Sequence, residues 1–563
     1  RSIFASLNSD LFGWIFNPNT RRDFISVALT SQAFTEVALD ILYHRVDFHN
    51  LLQVWHARGI LRQIRPPSAE SQEIGFVRVP NAPDYRRLMY YSRRVRRLSV
   101  SCQNWRANRY STTFFPTFIE VITGRSTEQA ELFPQLRSLT WKGPGELELA
   151  GCEAIIQASP RLKEFTYMER PEDPQSSADS WPTLLHTLAS VQSLERIDLG
   201  WRMSLGPAGP STRAGLALAR LITKPNVKEL ELPDHVVTSS VVVSSLVSAR
   251  QLEKLTFWPW IKPITAGAEV PRTASSDRLS YLGGTPRGMK PILAGASVFR
   301  ALTAITSSDI GGDTAITWSF VRTFVDLVGN GCPVLKTLVL SGFVDEDPVE
   351  QRARFVLAPL RACTRMHRFS FLAMARHGPV SVPLDFNPTD SDWRYLISEW
   401  PDLQHFSYSF SGGYELMEYD PSLEPKPRAT INTLVEFSRN CRQLVKLVLS
   451  LNATSQVTDA ALLGEILPFG NSMKFINFLG GSIEDDAVEG LATLLLRLTR
   501  DDVGFHPGTR HNLDSMEEDG FDMSSERNWL AAKKLIDFTR KVRPLGTPSE
   551  PKELSLEDLF GTS

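Results

Sequence analysis

Few residues of this 563-residue chain are spaced for covalent chemistry. Cys332, Cys363 and Cys441 could ligate zinc, but none forms a Cys-x-x-Cys pair or stands beside a companion histidine, as tetrahedral sites require. His44, His49 and His56 lie close together without zinc-site spacing. Asp485 and Asp486 could share acid–base work, yet they stand just before an apolar helical run, where acids favour the helix N-terminus. No GxxxxGK[ST], GxGxxG, HExxH or GxSxG sequence supplies a phosphate cradle, a metal helix or a nucleophile. Binding rather than catalysis is therefore expected, with no cofactor and no metal. Trp258 and Trp260, in Trp258-Pro259-Trp260, are the best anchors for a partner, because Trp is enriched among interface hot spots.

Composition narrows the partner. Lys and Arg number 61 and Asp and Glu 63, a net charge of −2, which argues against nucleic acid or an anionic membrane held by bulk charge. Hydrophobic residues make up 42% and charged residues 22%, enough apolar material for a large core and too much for a mostly disordered chain. Five cysteines cannot staple a disulfide scaffold, so a reducing compartment, cytoplasmic or nuclear, is expected. No run approaches the roughly 18 unbroken apolar residues of a membrane helix. Asn8 and Asp10 interrupt any signal-peptide core, and Arg1 in first place leaves room for an upstream segment.

The elements that must present these residues follow one repeated pattern, apolar-x-x-apolar-x-apolar. It occurs as Val95-Leu98-Val100, Leu136-Leu139-Trp141, Leu162-Phe165-Tyr167, Leu194-Ile197-Leu199, Val227-Leu230-Leu232 and Leu252-Leu255-Phe257. A degraded copy at Leu302-Ile305 leads to Leu335-Leu338-Leu340, Met366-Phe369-Phe371, Leu403-Phe406-Tyr408, Leu444-Leu447-Leu449 and Met473-Ile476-Phe478. The last two apolar positions alternate with polar ones, the period of a half-buried strand. Between copies the period becomes helical, as in Phe320, Val321, Phe324, Val325 and Val328, in Leu216, Leu218, Leu221 and Ile222, and in Leu491, Leu494, Leu495 and Leu498. Pro134, Pro160, Pro225, Pro333 and Pro401 each stand two residues before a copy, where proline stops a helix and begins an extended segment. Cys332, Cys363 and Cys441 each stand three before, a shared structural position that predicts core cysteines.

A strand–turn–helix unit recurring about every 25 to 40 residues cannot bury its own apolar face, but stacked copies share one core. The Leu-x-x-Leu-x-Leu copies, clearest in Leu335-Lys336-Thr337-Leu338-Val339-Leu340, resemble the leucine-rich-repeat family in its ribonuclease-inhibitor-like or cysteine-containing form. The resemblance implies an α/β solenoid over residues 91–500, with a parallel sheet on the concave face and helices outside. On such a sheet the outward polar positions would meet a target protein. Glu164, Arg196, Asp198, Glu231, Trp258 and Trp260 are the chosen contacts, within a set that also includes Arg97, Ser99, Thr140, Glu229, Lys254, Lys446 and Asn477.

Residues 1–48 keep a different rhythm. Leu7, Leu11, Ile15 and Phe16 share one helical face, Asn17-Pro18-Asn19-Thr20 reads as a turn, Phe24 to Leu29 as a second helix, and Phe34 to Tyr43 as a third. The run Leu7-x-x-x-Leu11, Ile15-Phe16, Arg22-Asp23-Phe24, Ala28 to Phe34 and Ala38 to Tyr43 resembles an F-box, found ahead of many fungal leucine-rich-repeat proteins. The resemblance implies a small all-α domain docking the Skp-type adaptor of a cullin-RING ubiquitin ligase through Leu7, Leu11, Ile15, Phe16, Phe24, Leu29, Phe34 and Leu42. The other reading of these helices is a cap over the first repeat. Residues 49–90 read as a connector with one helix near Leu51 to Trp55. The arginines from Arg86 to Arg97 read as a solvated face. Residues 261–297 read as an insertion loop, and 501–563 as a tail, partly disordered, with a last helix from Trp529 to Val542.

Overall fold

The structure is a computed structural model that describes residues 26, 32–64, 72–101, 108–111, 113–123, 132–142, 146–168, 181–199, 213–258, 274–307, 316–345, 355–375, 386–411, 427–454, 466–478, 483–507 and 524–542. The chain divides into two compact units, Arg1–Trp260 with Ile264–Pro271, and Ile261–Pro263 with Arg272–Ser563. Each is a two-layer α/β repeat built on a parallel sheet.

In the first unit the sheet follows chain order: β1 (Arg45–Asp47), β2 (Arg97–Ser101), β3 (Ser138–Lys142), β4 (Glu164–Met168), β5 (Arg196–Asp198), β6 (Glu229–Pro233) and β7 (Lys254–Trp258), each parallel to the next. Its helices are α1 (Gln32–Leu42), α2 (Phe48–His56), α3 (Ala82–Ser92), α4 (Phe114–Thr123), α5 (Glu146–Gln157), α6 (Trp181–Ser190), α7 (Arg213–Ile222) and α8 (Ser240–Ser248). In the second unit β8 (Tyr281–Gly284), β9 (Ala304–Ser307), β10 (Thr337–Asp345), β11 (Arg368–Ala375), β12 (His405–Ser411), β13 (Lys446–Leu449), β14 (Phe475–Phe478) and β15 (Gly504–Pro507) pair in the same way. Its helices are α9 (Pro286–Gly295), α10 (Trp318–Gly331), α11 (Asp390–Ile397), α12 (Asn432–Asn440), α13 (Val488–Leu498) and α14 (Ser524–Val542).

Every apolar residue of the repeated pattern is buried, from Val95, Leu98 and Val100 to Met473, Ile476 and Phe478. A fully buried side chain of this size contributes about 1.5–3 kcal/mol, so the strand faces supply much of the driving force. The turn ahead of each strand is also shared. The N–H of Leu136, Leu162, Val227, Leu335 and Leu403 donates to the carbonyl three residues back, which makes each preceding proline the second residue of a β-turn. Its fixed φ suits that place. Each turn then hands over to the previous repeat: the N–H groups of Lys163 and Glu164 both donate to Arg137 O, and those of His367 and Arg368 both to Lys336 O.

The cysteine position ends the helix and faces the preceding repeat. Cys363 Sγ lies 3.4 Å from Cys332 O, and Cys441 Sγ lies 3.8 Å from Trp400 O. Cys152, Cys332, Cys363 and Cys441 are free and buried. Burial pushes the thiols of Cys363 and Cys441 up to about 12 and raises those of Cys152 and Cys332 as well. Since the thiolate is the nucleophile, iodoacetamide at neutral pH should leave all four unmodified in the native chain and alkylate them in denaturant, as read by peptide mass mapping. Rapid native labelling of any of them would contradict this placement.

The structure corrects several sequence expectations. The parallel ladder runs past both ends of 91–500. β1 falls within the stretch assigned to the helical start, because the third expected helix, Phe34 to Tyr43, runs into Val46 and Phe48 with no Gly or Pro between. β15 falls within the expected tail, and α14 begins at Ser524, before Trp529. The connector holds α2 and α3 together with strands Leu61–Ile64 and Gln72–Phe76. The expected loop at 261–297 instead contains β8, α9 and a two-stranded pairing of Ala274–Ser276 with Ala296–Phe299. Leu279 and Leu282 are the apolar positions of that copy, but Gly284 stands where its third should be, which hid it. In α7, Leu216 is exposed while Leu218, Leu221 and Ile222 are buried.

Candidate functional site

The strand order of the first unit brings together residues that lie in separate repeats. Glu164, Arg196, Glu229 and Lys254 are Cα partners across β4 to β7, and the next row runs Thr166, Asp198, Glu231, Thr256. Neighbouring strands are about 4.8 Å apart, so a side chain of one row touches its neighbours and those diagonal to it. Glu231 is the hub, at 7% exposure. Its Oε1 lies 3.2 Å from Arg196 Nη2 and 3.6 Å from Lys254 Nζ, while the Trp258 indole N–H donates to Oε2 at 3.2 Å. Arg196 Nε lies 3.6 Å from Glu229 Oε2.

A carboxylate this buried carries a desolvation cost that two cations and an indole donor offset. Glu231 thus fixes the rotamers of Arg196, Lys254 and Trp258 more than it offers itself to a partner. Arg196, Lys254 and Trp258 keep solvent-facing edges, and Glu164 is exposed. Four of the expected contacts, Arg196, Asp198, Glu231 and Trp258, therefore lie within three adjacent strands, and Glu164 is one strand away. Trp260 lies outside the described residues. The pairing of Glu231 with Trp258, 27 residues apart, has no signal in sequence spacing; only the parallel register creates it.

At the other end of this unit, α1 carries Phe34, exposed at 49%, and Leu42, half-buried. Leu7, Leu11, Ile15, Phe16, Phe24 and Leu29 lie outside the described residues. Arg94, expected on a solvated face, is instead buried at 8% exposure and pairs with Glu36 and Asp40, one turn apart on α1. A hydrogen bond from the Tyr90 hydroxyl, and then Arg94, hold the Glu36 carboxyl below its usual value. Acids four residues apart on one amphipathic helix are the signal that could have foretold this clamp.

The sites suggested by chemistry resolve differently. Among the described residues no group of three or more His, Cys, Asp or Glu side chains could hold a metal. Asp485 and Asp486 stand in the short helical turn that leads into α13, as expected of acids at a helix N-terminus; neither caps α13, whose N-cap position is Ala487, and Asp485 accepts from Asn528 Nδ2 at 2.7 Å, tying α14 to that turn. In the second unit an apolar groove is lined by Phe320, Phe324, Leu340, Val344 and Phe371. Its Ser307 and Ser341 hydroxyls donate to each other's carbonyls at 3.0 Å. No described helix is long and apolar enough to cross a membrane. No family model matches the chain, and no curated protein matches it either.

Proposed function

We propose that the chain is the target-recognition subunit of an SCF-type cullin-RING ubiquitin ligase: a leucine-rich-repeat solenoid that grips a protein target, led by an F-box-like segment that holds a Skp-type adaptor. Catalysis would then come from proximity alone, the target being held beside the ligase's charged ubiquitin carrier. The observation that carries this reading is Phe34, a large apolar side chain turned to solvent on a helix whose other side is tied down. Aromatic residues, Phe included, are enriched in the cores of protein–protein interfaces, and Phe34 is free to serve as one. The Glu231 hub supports the target half, because it presents Arg196, Lys254 and Trp258 in fixed positions.

One observation favours a second reading, a leucine-rich-repeat interaction scaffold whose first helices only cap it. The Arg94 clamp to Glu36 and Asp40 and the buried Ala38 are what a cap requires. The two readings separate in a pull-down with a recombinant Skp-type adaptor. Full-length chain should retain the adaptor, and Phe34→Asp should weaken retention at least tenfold with an unchanged melting curve. Absence of adaptor binding by the unaltered chain, or equal binding by Phe34→Asp, would leave the cap as the better account.

A further inference from the structure

The two units differ in one electrostatic respect. In the first, the two outward rows from β1 to β7 mix signs: Asp47, Glu164, Asp198, Glu229 and Glu231 lie among Arg45, Arg97, Arg196 and Lys254. In the second, the corresponding rows contain no carboxylate. The first row runs Tyr281, Ala304, Thr337, Arg368, His405, Lys446, Phe475, Gly504. The second runs Gly283, Thr306, Val339, Ser370, Ser407, Val448, Asn477, His506.

Arg368, His405 and Lys446 are thus adjacent in register, on strands about 4.8 Å apart. Arg368 and Lys446 are exposed and His405 is half-buried. Among the described residues no carboxylate pairs with any of the three, whereas other cations of this unit do find acids, as Arg361 finds Glu399 and Arg394 finds Glu436. His405 feels the arrangement: burial, then Arg368 and Lys446, hold its pKa below the usual value. With its pKa below 6.5, His405 is uncharged at neutral pH and stands between two cations; an anion laid across the row would be drawn to both and would favour protonation of the imidazole. Phe475, half-buried with Lys446 Nζ 5.6 Å from its ring centroid, continues the line as an apolar shelf, and the Ser370 and Ser407 side chains lie alongside.

We infer that this face of the second unit binds an extended acidic peptide segment of a partner protein, its closely spaced Asp or Glu side chains lying over Arg368, His405 and Lys446 and an apolar residue following onto Phe475. In an extended segment alternate side chains stand about 6.6 Å apart. Two such carboxylates fit within the roughly 10 Å from Arg368 to Lys446, one beside each cation with His405 between them. A peptide suits the site better than nucleic acid, because the cations form a short line on a chain whose net charge is −2 and not a broad basic field.

The test uses the full-length chain and a fluorescein-labelled Gly-Asp-Glu-Asp-Glu-Phe-Gly peptide, followed by fluorescence anisotropy. Saturable binding should weaken at least tenfold in the double variant Arg368→Glu with Lys446→Glu. It should weaken by a smaller factor in Arg368→Gln with Lys446→Gln, and stay unchanged in Lys228→Glu, an exposed cation of the first unit. The Gln pair decides the matter if the Glu pair fails to fold by circular dichroism. No binding to the unaltered chain, or binding that neither double variant weakens, overturns the proposal. So does single-stranded polyadenylate binding more tightly than the peptide through the same residues. None of these outcomes depends on adaptor retention.

Discussion

Asp84→Ala is expected to destabilise the start of the first unit by about 3 kcal/mol, the lower end of the range for breaking a buried ion pair. Asp84 is fully buried at the third position of α3. Arg78 Nη1 lies 2.7 Å and Arg58 Nε 3.1 Å from its carboxylate. The backbone N–H of Asn81 also donates to it at 3.2 Å, and Asn81 returns the bond in a capping box, while Trp55 Nε1 donates to Asp84 O. The two arginines keep part of their side chains in water and can turn outward once the carboxylate is gone, so the loss stays below the upper limit.

Burial alone would push Asp84 up, but the Arg78 hydrogen bond, the Asn81 N–H and the charges of Arg78 and Arg58 leave its pKa below 3.8. Its contribution is thus complete above the ordinary aspartate range and is lost only as pH falls through the lowered value, below 3.8. Hydrogen exchange resolved over residues 48–142 should show faster exchange in the variant at pH 7. In the unaltered chain the same loss should appear only in strong acid. Unchanged protection of α2 and α3 in Asp84→Ala would refute the assignment.

The second large effect separates two glycines of one helix. Gly329→Ala should cost about 2–3 kcal/mol, and Gly331→Ala, two residues on in α10, should be neutral or slightly stabilising. A Cβ on Gly329 would come within 2.4 Å of Pro359 O and 2.5 Å of Pro359 C, both backbone atoms that no rotamer change can move. At Gly331 the nearest atom is 3.9 Å away, ordinary contact. Alanine favours the helix at both sites by about 1 kcal/mol, so the difference isolates the close approach of α10 to the turn Ala358–Ala362. That short 3₁₀ turn precedes β11, and Gly329 lets it approach α10 closely. Urea unfolding monitored by tryptophan fluorescence would compare the two; equal midpoints would mean the approach is looser than the coordinates place it.

Much of this architecture was legible in the order of residues. Leu335, Leu338 and Leu340 announce β10 because alternation with a leading apolar residue has one efficient burial, and Pro333 marks the turn before it. Where that punctuation is missing, the reading slips. Gly284 ends its copy without an apolar side chain, and β1 follows the third expected helix with no Gly or Pro between, so both escape the pattern. Phe369, Phe406, Phe371 and Tyr408 occupy leucine positions of the pattern; stacked in register, with centroids 5.4 and 5.3 Å apart, they form an aromatic core in the second unit.

Which side of each strand is buried, where most repeats begin, and the core place of the cysteines are all written in the order of residues. Period and punctuation are local properties, carried within about ten residues and enforced by the apolar area each repeat must hide. Which charges meet emerges from the folded chain alone. Glu231 reaches Arg196 and Trp258, Arg94 reaches Glu36 and Asp40, and Arg368 stands beside His405 and Lys446 with no carboxylate partner among the described residues. Those neighbours are set by the strand-to-strand spacing of a parallel ladder, which places residues some 25 to 60 positions apart within reach of one another, and spacing along the chain does not encode that distance.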